Sequence, residues 1–401
     1  MPMLGGIPGH PKSKVLLTGG TGFIASHILD HLLECGFDVV VTARSQAKGE
    51  RILASIANAP NVVNSVGCKV TYAVVENIVQ DGAFDEVIKT NLPLHYCIHT
   101  ASPCQFSFSD PVNDCLLPAI NGTVSLLSSL REYASSSLLR AVLTSSSAAI
   151  LNPPNHRPVY DESSWPEDET LNWDLAKDPN APGDTTYRAS KKFAEQAAWE
   201  FMEEDELSWD LATINNTYTF GPLPRSLEVK NGGDLRVNTS NERIAVCLMG
   251  KWSQKIPRTA PVFTYVDVRD VAVAHVRAMT RPEAGGKRFY VVGGFFSNAK
   301  IAGVAHGLCR AKQHQRQQGR EVENKGEEVE MCQDCVKFDD FPENHWKFDN
   351  TRSKEVLGLE YRSLEESVVD AIRSLREMGV GKGTPQIAGH HGPDEETSMP
   401  N

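Results

Sequence analysis

Apolar residues run in short unbroken stretches through the first half of the chain, each closed by glycine or a polar segment. Residues 14–18, 38–42, 68–75, 94–99 and 139–144 have the length and content of buried strands. Between them apolar positions recur at helical spacing, as Phe23, Ile24, Ile28 and Leu32 do before the stop at Gly36. The spacing predicts helices at 23–35, 47–57, 82–89 and 111–134. Strands alternating with helices predict βαβ units with right-handed crossovers. The fold class expected is therefore α/β, a doubly wound parallel sheet with helices on both faces.

Past residue 150 the pattern loosens. Residues 152–184 are rich in Pro, Asp, Asn and Trp and read as loop. A helix is predicted at 185–204 and a strand at 210–215. Residues 221–260 are mixed and polar. The segment from Phe263 reads as a strand running into a helix that ends near Met279. A strand at 287–292 and a last helix at 363–378 follow. Residues 310–335 carry few apolar side chains, and their first 19 almost none. They read as a solvated helix or a disordered insertion. Residues 1–13 and 379–401 read as tails.

Composition narrows the classes. The 401 residues carry 40 Lys+Arg against 51 Asp+Glu, a net charge of −11, which argues against a surface built for nucleic acid. No run of about 18 apolar residues occurs, so no membrane span is expected. The N-terminus has no apolar stretch of signal-peptide length. The nine cysteines are scattered and odd in number, as in a reducing compartment. A cytoplasmic protein is expected. Cys332 and Cys335 form a CxxC, with His306, Cys309 and His314 upstream, but the spacing fits no zinc pattern and no metal is expected.

Four local signals carry chemistry. Gly19, Thr21, Gly22, Phe23, Ile24 and Ala25 lie at a strand-to-helix turn of the form GxxGxxA. Glycines there let backbone amides approach a pyrophosphate at the positive end of the helix, and Ala25 is small enough for close helix–strand packing. Arg44 and Lys48 follow the second strand, where an NAD site would hold a carboxylate. A guanidinium pairs bidentately with a phosphate, so NADPH is favoured over NADH. Tyr187 and Lys191 stand at i and i+4 on one helix face, where an ammonium can favour the phenolate. Thr144, Ser145, Ser146 and Ser147 end a strand, and a serine hydroxyl there can hydrogen-bond a carbonyl oxygen. Taken singly, each also fits an ordinary structural role: a plain turn, a surface arginine, a solvated helix face, a strand-end turn.

Together, in this order, they resemble the extended short-chain dehydrogenase/reductase family, in the branch of dihydroflavonol 4-reductases, methylglyoxal reductases and fungal ketoreductases. The resemblance covers about 14–300 and about 345–378. It extends to 99–103 (HTASP), 110–111 (DP), 118–123 (PAINGT), 159–165 (VYDESSW), 187–201, 220–222 (FGP), 239–243 (TSNER), 265–270 (YVDVRD) and 350–358 (NTRSKEVLG). It implies a cofactor-binding region at 14–215, with 263–292 returning to it, and a mainly substrate-binding region at 216–378. It implies Tyr187 as proton donor, Lys191 as its partner, Ser146 as the carbonyl-binding serine with Ser147 as the other register, and Asn121 as support for a relay water. Thr100, Ala101 and Ser102 would flank NADPH, and Asn77 and Ile78 would lie by its adenine. Cys104, Phe106, Ser147 and Tyr218 would face a small carbonyl substrate. The protein would be a monomer or homodimer.

Three departures from the family stand out. Asn215-Asn216 replaces its usual Asn-Pro, so that turn is expected to lose proline's rigidity. Asn77 stands where an acidic residue often reads the adenine. The third is the polar stretch 310–335, a real insertion or sequence never selected to fold. The reading expected is an NADPH-dependent ketone or aldehyde reductase. Its rivals are a nucleotide-sugar epimerase or dehydratase and a non-catalytic NADPH sensor.

Overall fold

The computed structural model describes residues 13–57, 67–102, 109–204, 206–224, 237–259, 262–317 and 339–380. Its centre is a seven-stranded, all-parallel sheet. The strands are β1 (Lys14–Thr18), β2 (Asp38–Ala43), β3 (Val70–Val74), β4 (Tyr96–His99), β5 (Arg140–Thr144), β7 (Asp210–Asn216) and β10 (Lys287–Val291), in spatial order β10-β7-β5-β4-β1-β2-β3. The chain winds outward from β1 to β3, then returns to lay β4 on the other side of β1. That reversal opens a crevice at the carboxyl ends of β1 and β4.

Both faces of the sheet are covered, which is why its strands read as unbroken apolar runs. Val15, Leu17, Val39, Val41 and Ile98 pack under helices α1 (Phe23–Glu34) and α2 (Gln46–Ala57) and the later α8 (Val268–Thr280). Leu16, Val40, Cys97, Ala141 and Leu143 pack under α3 (Asp85–Lys89), α4 (Leu117–Ala134) and α6 (Gly183–Glu204). The alternation follows from the two-residue period of a strand.

A second body of structure hangs from the carboxyl edge. It contains the small sheet β8 (Tyr218–Phe220), β9 (Thr264–Asp267) and β11 (Gly294–Phe295), and the helices α7 (Thr239–Leu248), α9 (Asn298–Gln317) and α11 (Leu364–Glu377). Phe220, Ile244, Leu248, Phe296, Ile301, Val368 and Ile372 form its core. Helix α11 starts as its sequence predicts. The Ser363 hydroxyl accepts the Glu366 amide, and the Glu366 carboxylate accepts the Ser363 amide. The remaining elements are short: β6 (Val159–Tyr160), β12 (Lys347–Phe348), α5 (Trp173–Ala176) and α10 (Thr351–Leu357).

The structure corrects two sequence-based expectations and, over its first residues, matches one alternative of a third. The single helix expected at 111–134 opens with a π-turn, Val112–Leu116. Pro118 has no N–H to give the Asp114 carbonyl, and the Leu117 amide reaches back to Val112 instead. The polar region 221–260 contains α7, held by Ile244, Ala245 and Leu248 on its buried face. The polar run at 310 is helical at its start, as the last part of α9, while 318–335 with Cys332 and Cys335 lies outside the described residues. Among the described residues no group of His, Cys, Asp and Glu could hold a metal, and no helix is long and apolar enough to cross a membrane.

Candidate active site

The crevice is built first by Thr18, buried at the end of β1. Its hydroxyl oxygen accepts the Thr100 amide at 3.1 Å and the Ala101 amide at 3.2 Å. With both lone pairs used, its own hydrogen goes to His99 Nδ1, 2.8 Å away, so His99 carries its proton on Nε2. The Thr100 hydroxyl donates in turn to the Thr18 carbonyl at 2.6 Å. These bonds lock the ends of β1 and β4 together. Burial, and secondarily the Lys191 ammonium, lower the His99 pKa to about 3, so it stays neutral.

The glycine turn rests on that lock. Gly19 has φ +69°, and a Cβ there would stand 3.0 Å from the backbone of Ala101. A Cβ on Gly20 would stand 1.8 Å from Val41 of β2. Helix α1 then starts at an N-cap, Gly22, that offers no side chain to its amides, and no acidic residue lies in its first turn. Exposed amides and an uncompensated positive helix end suit a pyrophosphate. Thr21 is exposed, Phe23 meets His27 edge-on at 5.5 Å, and Ile24 packs on the core.

Arg44 directly follows β2 and is exposed, and Lys48 is half-buried in the first turn of α2. Neither makes an ion pair among the described residues, so both charges remain available beside the crevice. Asn77 is exposed, and its carbonyl accepts the Val79 amide at 3.1 Å, leaving its NH2 to donate outward. Ile78 packs against Gly122 of α4. Its neighbour Asn121 is exposed, and its side chain makes no hydrogen bond among the described residues. The glycine cradle, the open amides and the unpaired cations fit a dinucleotide phosphate.

On the reaction side, the end of β5 is held from both faces of the sheet. The Thr144 hydroxyl points to α8 and meets His275 Nε2 at 2.7 Å, while His275 Nδ1 donates to the Val271 carbonyl at 2.8 Å. The Ser145 hydroxyl points the other way, to the Glu195 carboxylate of α6. Ser146 is extended, with φ −153°, and its hydroxyl oxygen accepts the Ala148 amide at 3.1 Å. That bond leaves the Ser146 hydroxyl hydrogen available for an acceptor in the crevice. Ser147 is buried inside the same turn.

Helix α6 presents Tyr187 and Lys191 on one face, both half-buried. The Lys191 ammonium lies 5.6 Å from the Tyr187 ring centre and donates to the Ser102 hydroxyl at 2.9 Å. Ser102 follows Thr100 and Ala101, so the ammonium is tied to the cofactor lip. Arg188 donates to the carbonyls of Leu151 and Pro153. The buried Lys192 donates to Asp168 at 2.6 Å and to the Leu171 carbonyl at 2.9 Å, pinning the loop 152–182 to α6.

The Asn215-Asn216 turn, which lacks proline's ring, is held by side-chain hydrogen bonds. Asn215 donates to Glu195, Asn216 donates to Thr219 at 3.0 Å, and Thr217 donates to the Thr264 carbonyl at 2.9 Å. Side-chain hydrogen bonds stitch the turn in place of the ring. Tyr218, just beyond, is half-buried, with its hydroxyl accepting from Arg243 at 3.2 Å. Cys104 and Phe106 lie outside the described residues. Sequence reasoning gave no role to His99, Glu195, His275 or Arg288. The spacing of Glu195, four residues after Lys191, was the one signal for it.

A crevice of this kind, at the strand-order reversal of a parallel sheet, defines a dinucleotide-binding α/β protein. The chain belongs to the NAD dependent epimerase/dehydratase family, whose sequence model matches residues 15–293. It is similar to the ketoreductase azaE of Aspergillus niger, 44% identical over 371 residues, spanning 92% of this chain and 99% of that one. It is also similar to the NADPH-dependent methylglyoxal reductase GRE2 of Saccharomyces cerevisiae, 33% identical over 90% of this chain and 98% of the relative. The crystal structure of Gre2 from Candida albicans in complex with NADPH superposes with a TM-score of 0.75 at 30% identity, covering 92% of this chain and 99% of that one.

Proposed function

We propose that this protein reduces a ketone or aldehyde to an alcohol with NADPH. The observation that carries the reading is the pairing, at one sheet edge, of a Ser146 hydroxyl whose hydrogen is available with a Tyr187/Lys191 helix face tied to the cofactor lip through Ser102. The relatives' names, ketoreductase and NADPH-dependent reductase, support it.

Arg44 and Lys48 would hold the 2′-phosphate, and the uncapped first-turn amides of α1, at Phe23 and Ile24, the pyrophosphate. The bound cofactor supplies a hydride for the carbonyl carbon. Ser146 donates a hydrogen bond to the carbonyl oxygen, drawing electron density from the carbon. Tyr187 delivers its phenolic proton to that oxygen as the C=O π bond becomes a C–H and an O–H bond. The Lys191 ammonium stabilises the phenolate left behind. Ser146 fills this role rather than Ser147, because Ser147 is buried in the turn. Asn121 would hold a water that returns the proton. Asn77 and Ile78 would border the adenine. Ser147, Tyr218, Cys104 and Phe106 would border the substrate. The same reading makes 216–378 mainly the substrate region, and the protein a cytoplasmic monomer or homodimer acting on a medium-sized organic carbonyl, such as a polyketide.

An epimerase reading is disfavoured by Arg44, since such enzymes retain tightly bound NAD rather than selecting a phosphorylated cofactor. The test is cofactor oxidation, followed by absorbance, against methylglyoxal, other aldehydes, diketones and polyketide-like ketones, with NADPH and NADH in parallel. Turnover with NADPH well above NADH is expected. NADPH binding without turnover on any carbonyl would overturn the reading.

A further inference from the structure

Glu195 is almost fully buried, and its carboxylate gathers donors from three other elements and its own helix. Oε1 accepts the Arg288 Nε of β10 at 2.7 Å, the Thr213 hydroxyl of β7 at 2.9 Å and the Trp199 indole of α6 at 3.3 Å. Oε2 accepts the Asn215 amide at 2.6 Å and the hydroxyl of Ser145, just past β5. Arg288 is itself buried. It donates to the carbonyls of Glu162, Ser164 and Ala149, the last at the end of the Ser146 turn, and its guanidinium stacks on Trp165 at 3.7 Å. Asn215 also donates to the Ser146 carbonyl at 3.3 Å. The serine turn is thus held before Ser146 by Ser145, at Ser146 by Asn215 and after it by Arg288, and all three converge on one carboxylate.

That carboxylate belongs to the helix that carries Tyr187 and Lys191, at i+8 and i+4 on the same face. Resting α6 on the sheet needs only apolar contact, and Ala198 and Phe201 already supply it. A buried charge with every lone pair engaged adds direction. We infer that Glu195 is a positioning residue that sets the register of the Ser146 turn against the Tyr187/Lys191 helix, so that both hydroxyls meet on one carbonyl oxygen. The inference rests on the roles proposed above for Ser146 and Tyr187. Both carboxylate oxygens of Glu195 face N–H donors, Arg288 and Trp199 at one and Asn215 at the other, so a glutamine in its place turns an NH2 toward a donor.

The experiment is a double-mutant cycle on the full chain with methylglyoxal or the best carbonyl of the panel. Glu195→Gln, Ser145→Ala and Ser146→Ala are made singly, and the first two are also combined with Ser146→Ala. Ser145→Ala removes one hydroxyl and leaves the Glu195–Arg288 pair intact, so it carries the test if the charge change impairs folding. The measurements are kcat, KM, the NADPH Kd by fluorescence, and the melting temperature. Expected is a fall in kcat of roughly ten- to hundredfold for Glu195→Gln and Ser145→Ala, as for small misplacements of reacting groups. The NADPH Kd should hold. In the Ser146→Ala background both effects should shrink to within about twofold, because residues acting as one unit are not additive. A lowered melting temperature with unchanged kcat, or the same loss of kcat with and without Ser146, would overturn the inference and leave the reductase reading standing. A Ser146→Ala enzyme with unchanged kcat would remove the Ser146 role and the inference with it.

Discussion

The hydroxyl of Thr144 lies 2.7 Å from Nε2 of His275, whose other nitrogen is bound to the Val271 carbonyl. Nδ1 must donate to that carbonyl, so Nε2 is an acceptor and Thr144 the donor. In that direction the bond requires a neutral His275, and burial keeps the ring neutral.

Burial lowers the His275 pKa from 6.5 to about 4, with the Val271 bond opposing the shift. Between those values the unfolded chain binds a proton that the folded one refuses. The stability held by neutral His275 is complete above pH 6.5 and is lost as pH falls toward 4, at about 1.4 kcal/mol per pH unit. His99, lowered to about 3, adds a loss of the same sign. Urea unfolding at stepped pH should show it, and His275→Gln should flatten the slope by about that amount.

Tyr187→Phe keeps the ring beside Lys191 and removes the proton. Turnover should fall by about two to four orders of magnitude, while NADPH binding, followed by fluorescence, stays within about twofold.

Arg44→Ala should raise the NADPH Kd about ten- to hundredfold, the worth of charge-assisted bonds to a phosphate, and leave the NADH Kd nearly unchanged. Equal losses for the two cofactors in titration calorimetry would place the 2′-phosphate elsewhere.

Gly20→Ala puts a methyl 1.8 Å from Val41 Cγ1 and 3.2 Å from Ile52 Cδ1. Both neighbours are buried and branched. Stability should drop by about 1–3 kcal/mol in denaturant titration, with weaker NADPH binding because the turn must shift.

Lys192 and Asp168 are an unequal pair: the lysine is buried, whereas the aspartate is largely in water. Lys192→Met strands the Leu171 carbonyl and should cost about 1–3 kcal/mol, with faster proteolysis within 152–182. Asp168→Asn should change stability by less than about 1 kcal/mol.

The sheet was legible because its strands are buried on both faces and therefore unbroken in the sequence. The glycine turn between β1 and α1, the place of Arg44 after β2 and the shared helix face of Tyr187 and Lys191 were legible too, because each depends on short-range order along the chain. The hydrogen bonds that hold the Asn216 turn were not legible, because Thr219 and Thr264 lie across a turn and a strand that spacing does not bring together. The same holds for Glu195 and Arg288, separated by 93 positions, and for Thr144 and His275, separated by 131. Helix α7 was hidden because its buried face is only a few residues wide.

The Thr18 hydroxyl joins two amides and an imidazole at the lip of the crevice without any ligand atom taking part. The entropy of ordering that lip is therefore lost during folding and not on binding. A dinucleotide arriving there gives up its own freedom and little of the protein's. The amides of Thr100 and Ala101, although they edge an open crevice, should exchange their hydrogens with solvent as slowly as the strands beneath them.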